Sequence, residues 1–248
     1  MKELFILASG TMAKALAKGL KDKYKISFVG RNIAQLEALK HDGFSTFLYE
    51  DFNLEGKDII LAFKPYALNE VANKLKGKAR LLISVLANTD LKSLEAIKAQ
   101  NYARIMPNTA AAFKASTTPF ICKNELFKDE IITILQSFGQ AFELEKESQM
   151  NAAMALSGCA PAFLAMVAES ISNAGVYEGL NADLSSKLTK ASFQSFATLV
   201  QDTHPALIKE QICSPGGVTI KGVRALEDKN LRSAFFKAIH ASANNLND

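Results

Sequence analysis

Cysteine and histidine are scarce in this sequence, and their scarcity argues against two function classes. The three cysteines, Cys122, Cys159 and Cys213, lie far apart and form no C-x-x-C pair. An odd, scattered set does not make a disulfide framework; it points to reduced thiols in a cytosolic compartment. The three histidines, His41, His204 and His240, stand far from one another and from every cysteine, so no metal site is expected. A run of about 18 apolar residues is also missing, which predicts that no segment crosses a membrane. The apolar residues 4–8 follow Lys2-Glu3 and lead into a glycine turn, and they are too few for a signal peptide. Charge of one sign is not concentrated either. Lys and Arg number 29 against 25 Asp and Glu, a formal net charge of +4, and the lysines are scattered. Nucleic acid is therefore not an expected partner, while a mildly basic surface favours anionic ligands.

What remains is a chain of 248 residues, 48% hydrophobic, long enough for one large core or two modest ones. Its first part alternates two kinds of segment. Strands are predicted over residues 4–8, 26–29, 44–48, 58–63, 81–85, 103–106, 117–122 and 141–144. Helices are predicted between them over 11–21, 33–40, 68–76, 91–99 and 125–137. Continuous apolar runs such as Leu4-Phe5-Ile6-Leu7-Ala8 are the mark of strands buried on both faces. The alternation implies a mainly parallel sheet covered by helices, an α/β doubly wound fold.

After about residue 146 the strand signals stop. Helices are predicted over 149–156, 161–173, 183–201 and 231–244. On the third of these, Leu184, Leu188 and Ala191 share one face, while Phe193, Phe196 and Val200 lie nearly opposite. A helix apolar on two faces needs burial on both, more than about 100 residues can supply alone. The expectation is a homodimer with interlocked helices, or a higher homo-oligomer built of such dimers. The alternative is a central helix inside one subunit. The domain division expected is 1–146 and 147–248.

The first strand runs into Ala8-Ser9-Gly10-Thr11-Met12-Ala13, a variant of the G-x-G-x-x-G/A dinucleotide fingerprint. Gly10 keeps the second position, where backbone approaches pyrophosphate, and Ala13 is a permitted third. Ala8 replaces the glycine of the tight turn. The following helix would aim free N–H groups and its positive end at phosphate. The second strand ends at Val29-Gly30-Arg31-Asn32, with no carboxylate for ribose hydroxyls. Arg31 can pair with a 2′-phosphate, with Asn32 adding a donor. NADPH is therefore favoured, with NADH as the alternative.

Five segments together closely resemble the pyrroline-5-carboxylate reductase family: L-A-S-G-T-M-A at 7–13, A-F-K-P at 62–65, R-I-M-P-N-T at 104–109, S-G-C-A-P-A-F at 157–163 and S-P-G-G-V-T-I at 214–220. The resemblance covers essentially the whole chain. It implies an N-terminal Rossmann domain, a C-terminal all-α helical dimerisation domain, and hydride transfer from NAD(P)H to the C=N bond of 1-pyrroline-5-carboxylate, giving L-proline in a cytoplasmic enzyme. It further implies that Leu7, Ala8, Ser9, Gly10, Thr11, Met12, Arg31, Asn32, Ala62, Phe63, Lys64 and Pro65 line the cofactor. Met106-Pro107-Asn108, with Asn108 as a substrate contact, and Ser214, Gly216, Gly217, Val218 and Thr219 would surround nicotinamide and substrate.

The last segment suits that task chemically. Ser214 reads as a helix N-cap and Pro215 as a first helical residue. The glycines let bare N–H groups approach a carboxylate. The resemblance gives Thr219 the catalytic hydroxyl, beside the ring nitrogen. S-P-G-G also reads simply as a helix cap. The chain departs from the family at Ala8, Ala110, Cys159, Ala160 and Phe163. These departures keep two alternatives open: reduction of another small imine or carbonyl, and a non-catalytic NADPH-binding regulator.

Overall fold

The structure, a computed structural model, describes residues 1–244. Eight strands form one sheet: β1 (Glu3–Leu7), β2 (Lys25–Gly30), β3 (Ser45–Leu48), β4 (Asp58–Leu61), β5 (Ala79–Ser84), β6 (Ala99–Ile105), β7 (Ser116–Cys122) and β8 (Gly139–Glu143). Their order is β3-β2-β1-β4-β5-β6-β7-β8. Every neighbouring pair is parallel except β6 and β7. The first six follow the doubly wound order, whose direction reverses between β1 and β4 and opens a ligand crevice at the carboxyl ends of those strands.

The period of two along each strand explains the apolar runs. Leu4, Ile6, Ile26, Phe28, Ile60, Leu81 and Ile83 face one core, shared with α1 (Thr11–Leu20), α2 (Ile33–His41) and α4 (Lys128–Leu135). Phe5, Leu7, Val29, Ile59, Leu61 and Leu82 face the other, shared with α3 (Leu68–Lys74). Each such side chain, fully buried, contributes about 1.5–3 kcal/mol. Helix α1 comes close to the turn after β6. A Cβ at Gly19 would stand 2.4 Å from the Ala111 carbonyl oxygen and 2.6 Å from Phe138 Cβ.

One expected helix is not there. Residues 91–99 hold only a 3₁₀ turn, Ser93–Ala96, before β6 begins at Ala99. Asp90 accepts from the Ser93 N–H at 2.7 Å, and the chain is extended again at Ile97. The return to extended backbone at Ile97, ahead of β6, leaves too few residues for an α-helix.

The chain forms two compact units, Met1–Gly158 and Cys159–Ala241. Beyond β8 the regular structure among the described residues is helical: a 3₁₀ turn (Glu147–Gln149), α5 (Met150–Met154), a π-helical turn (Ala155–Cys159), α6 (Ala160–Tyr177), α7 (Ala182–Leu199), α8 (Pro205–Ile212), α9 (Val218–Asp228) and α10 (Leu231–Asn244). The helical stretch Glu147–Tyr177, 31 residues, is long and apolar enough to cross a membrane by length and composition alone. Isolated serines and Glu169 interrupt its apolar residues without making the helix polar. In α7 only Ser185 and Thr189 are buried. Ser185 faces α6: its Oγ donates to the Ser172 carbonyl at 2.7 Å, and a Cβ at Gly175 would collide with it. Leu184, Leu188, Phe196 and Leu199 are left exposed.

Candidate active site

The β1–α1 turn sits at the sheet's reversal point. Gly10 is the N-cap of α1, with extended backbone and no side-chain cap, and no acidic residue stands in the first turn. The N–H groups opening the helix are thus left to an outside acceptor. A Cβ on Gly10 would meet nothing within 4 Å, so the space in front of the turn is open. Ala8 has φ +155°, a conformation that suits glycine and that alanine holds under strain. Ser9 Oγ is hydrogen-bonded to the Gln35 side chain of α2.

A cavity of about 760 Å³ spreads from this turn across the ends of β2, β4 and β5. It brings together the whole expected cofactor set except Leu7, whose side chain is fully buried in the core below. Residues not expected there also line it, among them the polar or aromatic Gln35, Tyr49, Tyr66 and Thr109. At its rim, Arg31 Nη1 donates to both oxygens of Glu70, at 3.0 and 3.2 Å. Lys74 also reaches Glu70 at 3.3 Å and approaches Glu50 at 3.9 Å. The hydrogen bond from Lys74, and after it the charge of Arg31, hold the Glu70 carboxyl below the usual carboxylate range. Burial pushes the Tyr49 phenol up to about 12. Asn32 is the N-cap of α2, accepting from the Gln35 N–H at 3.0 Å.

Asn108 follows β6 and is buried. Its Oδ1 accepts from the Ala110 N–H at 3.0 Å, and its Nδ2 donates to the Ser157 carbonyl at 2.9 Å. Ser157 lies in the π-helical turn, and its Oγ donates to the Met106 carbonyl at 3.4 Å. Both polar atoms of Asn108 are thus engaged inside the first unit. Arg104, four residues earlier in β6, is buried and ion-paired with Glu147 at 2.6 Å. Glu147 also accepts from the Leu91 N–H at 2.7 Å, which ties the end of β6 to the start of the helical stretch.

In the second unit, Ser214-Pro215-Gly216-Gly217 is a tight turn. The Gly217 N–H donates to the Ser214 carbonyl at 3.0 Å, and Gly216 has φ +69°. Proline second and a left-handed glycine third is the type II pattern. Helix α9 begins only after it, with Gly217 as N-cap and Val218 as first residue. The reading of Ser214 as N-cap and Pro215 as first helical residue is corrected: left-handed Gly216 cannot continue a helix. Val218 and Thr219 are exposed at the uncapped N-terminus, with no acidic residue in the first turn.

Comparison with known proteins decides the family. Residues 147–248 match the model described as pyrroline-5-carboxylate reductase dimerisation, and residues 3–88 that of NADP oxidoreductase, coenzyme F420-dependent. The pyrroline-5-carboxylate reductase of Helicobacter pylori strain J99 is 36% identical over 254 residues, 98% of either chain. The chain belongs to the pyrroline-5-carboxylate reductase family.

The soybean (Glycine max) reductase is 30% identical over 97% of this chain and 93% of its own. Among solved structures, the reductase of Streptococcus pyogenes superposes with a TM-score of 0.87 at 25% identity, covering 98% of this chain and 97% of that one. That of Plasmodium falciparum, with NADP bound, gives 0.82 at 25% identity and 98% of both chains. The fold expected for the family, a doubly wound sheet followed by a helical region, is the one observed. Sequence reasoning missed Glu70, because it reaches Arg31 from 39 residues away and carries no motif of its own. It also missed the π-helical turn, whose only local signal is Pro161 shortly after it.

Proposed function

We propose that this chain reduces 1-pyrroline-5-carboxylate to L-proline with hydride from NADPH. The observation that carries the reading is the end-to-end likeness to pyrroline-5-carboxylate reductases, 36% identical over 98% of both chains. The first unit fits a dinucleotide, with an open helix N-terminus for pyrophosphate at Gly10 and a guanidinium for the 2′-phosphate at Arg31. NADPH, when bound, supplies the hydride. Residues 1–146 hold it, and NADH serves as the weaker alternative.

Residues 147–248 supply dimerisation and substrate binding. The N–H groups opening α9 beyond Gly216 and Gly217 bind the substrate carboxylate, as a helix N-terminus binds anions. The Thr219 hydroxyl sits at the second helical position and hydrogen-bonds the ring nitrogen, which must carry a proton when hydride reaches its neighbour. Asn108 serves the substrate by shaping the backbone of Met106-Pro107-Asn108, since its side chain is engaged elsewhere.

The outward apolar residues Leu184, Leu188 and Phe196 support a homodimer, alone or within a higher oligomer of dimers. The free cysteines Cys122, Cys159 and Cys213 support a cytoplasmic site. We assign no nucleic-acid or membrane partner. A second reading, reduction of another small imine, is favoured by Cys159, Ala160 and Phe163 at family-motif positions.

The test is NADPH and NADH oxidation by the purified chain with pyrroline-5-carboxylate, scored by L-proline formed. Proline produced faster with NADPH is expected. NADPH binding without turnover of any imine would remove the enzymatic reading, and turnover of other imines alone would select the second one.

A further inference from the structure

The Arg31–Glu70 pair is formed within the rim of the cofactor cavity, and it bears on coenzyme choice. Both Glu70 oxygens lie on Nη1 alone, at 3.0 and 3.2 Å. The other edge of the guanidinium, Nε with Nη2, has a fork geometry that matches a phosphate. Glu70 thus places a full negative charge against the cation that would receive the 2′-phosphate. That phosphate carries up to two negative charges of its own, so the carboxylate repels it. A ribose 2′-hydroxyl is a donor that a carboxylate accepts. The sequence has no acidic residue at the end of β2, where such a carboxylate usually stands; α3 brings one in from the side.

We infer that Glu70 is a specificity-determining residue that lowers the preference for NADPH over NADH by competing with the 2′-phosphate for Arg31. The inference rests on the reading of Arg31 as the 2′-phosphate site. Both partners are more than one-third exposed, with side chains 60% and 46% accessible. Solvent screening keeps the effect modest, about threefold in affinity.

The experiment measures dissociation constants of NADPH and NADH by titration calorimetry on the full chain and on Glu70→Gln, Arg31→Ala and the double variant. Glu70→Gln is close to isosteric and lies on the surface, so the fold is retained. NADPH is expected to bind about threefold tighter to Glu70→Gln, with NADH no tighter than before. In the Arg31→Ala background the same substitution should change the ratio little. A Glu70→Gln variant whose NADPH-to-NADH affinity ratio stays at the starting value, while Arg31→Ala lowers that ratio, overturns the role of Glu70 and leaves the 2′-phosphate site standing. An Arg31→Ala variant with an unchanged ratio overturns both. The comparison of two coenzymes separates choice from general damage, because a distorted site would weaken them together.

Discussion

Asn108 Nδ2 donates to the Ser157 carbonyl at 2.9 Å, and that is the carbonyl Pro161, four residues on, has no N–H to serve. A proline early in a helix leaves such an orphan acceptor. Here a side chain from the loop after β6 satisfies it. The same side chain caps the 3₁₀ turn Thr109–Phe113 through Oδ1. The Asn108→Asp variant separates these tasks, because it keeps the acceptor and removes the donor. It is expected to lose about 1–3 kcal/mol through an unmet buried carbonyl. Urea unfolding checks this, and an unchanged midpoint would show that the bond contributes nothing.

Ala8→Gly removes strain at φ +155°. The strain relieved is about 1–3 kcal/mol, and the extra freedom of glycine in the unfolded chain returns about 0.4–1 of that. A net gain of about 1 kcal/mol is expected, with NADPH bound at least as tightly. Thermal melts with and without NADPH read both effects. A lower melting temperature would mean that Ala8 is relaxed.

Gly19→Ala should be costly. The new methyl would meet the Ala111 backbone at 2.4 Å, and α1 would have to move off the turn after β6. The loss expected is about 1–3 kcal/mol, against the gain of about 1 that alanine usually brings inside a helix. A stabilised variant would contradict the close approach.

Thr219→Ala should lower kcat by about a hundredfold while NADPH affinity stays near its starting value. Steady-state kinetics and a cofactor titration together decide it. Unchanged turnover would remove Thr219 from the reaction.

Tyr49 gives a pH signature. Its phenol, pushed up to about 12 in the folded chain by burial, ionises near 10 when unfolded. The folded state therefore keeps its proton longer. Stability linked to Tyr49 is intact below pH 10 and is lost as pH rises from about 10 to 12. Two units correspond to about 3 kcal/mol at most. Comparing unfolding midpoints of the starting chain and Tyr49→Phe across that range isolates the share due to Tyr49. Parallel curves would mean that its phenol titrates normally.

The sheet could be read from the chain because its strands are buried on both faces, and a run such as Leu4-Phe5-Ile6-Leu7 carries that directly. The β1–α1 turn was legible for a similar reason: glycine where ligand approaches backbone leaves a local mark. Besides the π-helical turn, three things were not legible. The segment 91–99 has helix-forming residues, yet Asp90 closes a turn that propensity alone does not foresee. The start of α9 was misplaced because serine before proline looks like a cap, whereas the left-handed Gly216 delays the helix to Val218. The Arg31–Glu70 pair depends on α3 packing beside β2, a tertiary fact with no local signal.

Leu184, Leu188 and Phe196 point away from the fold that carries them. A subunit with apolar residues exposed on two sides of one helix draws part of its stability from its neighbour, so its melting temperature should fall as the protein is diluted. For this chain, concentration is then a variable of folding in its own right, alongside heat and pH.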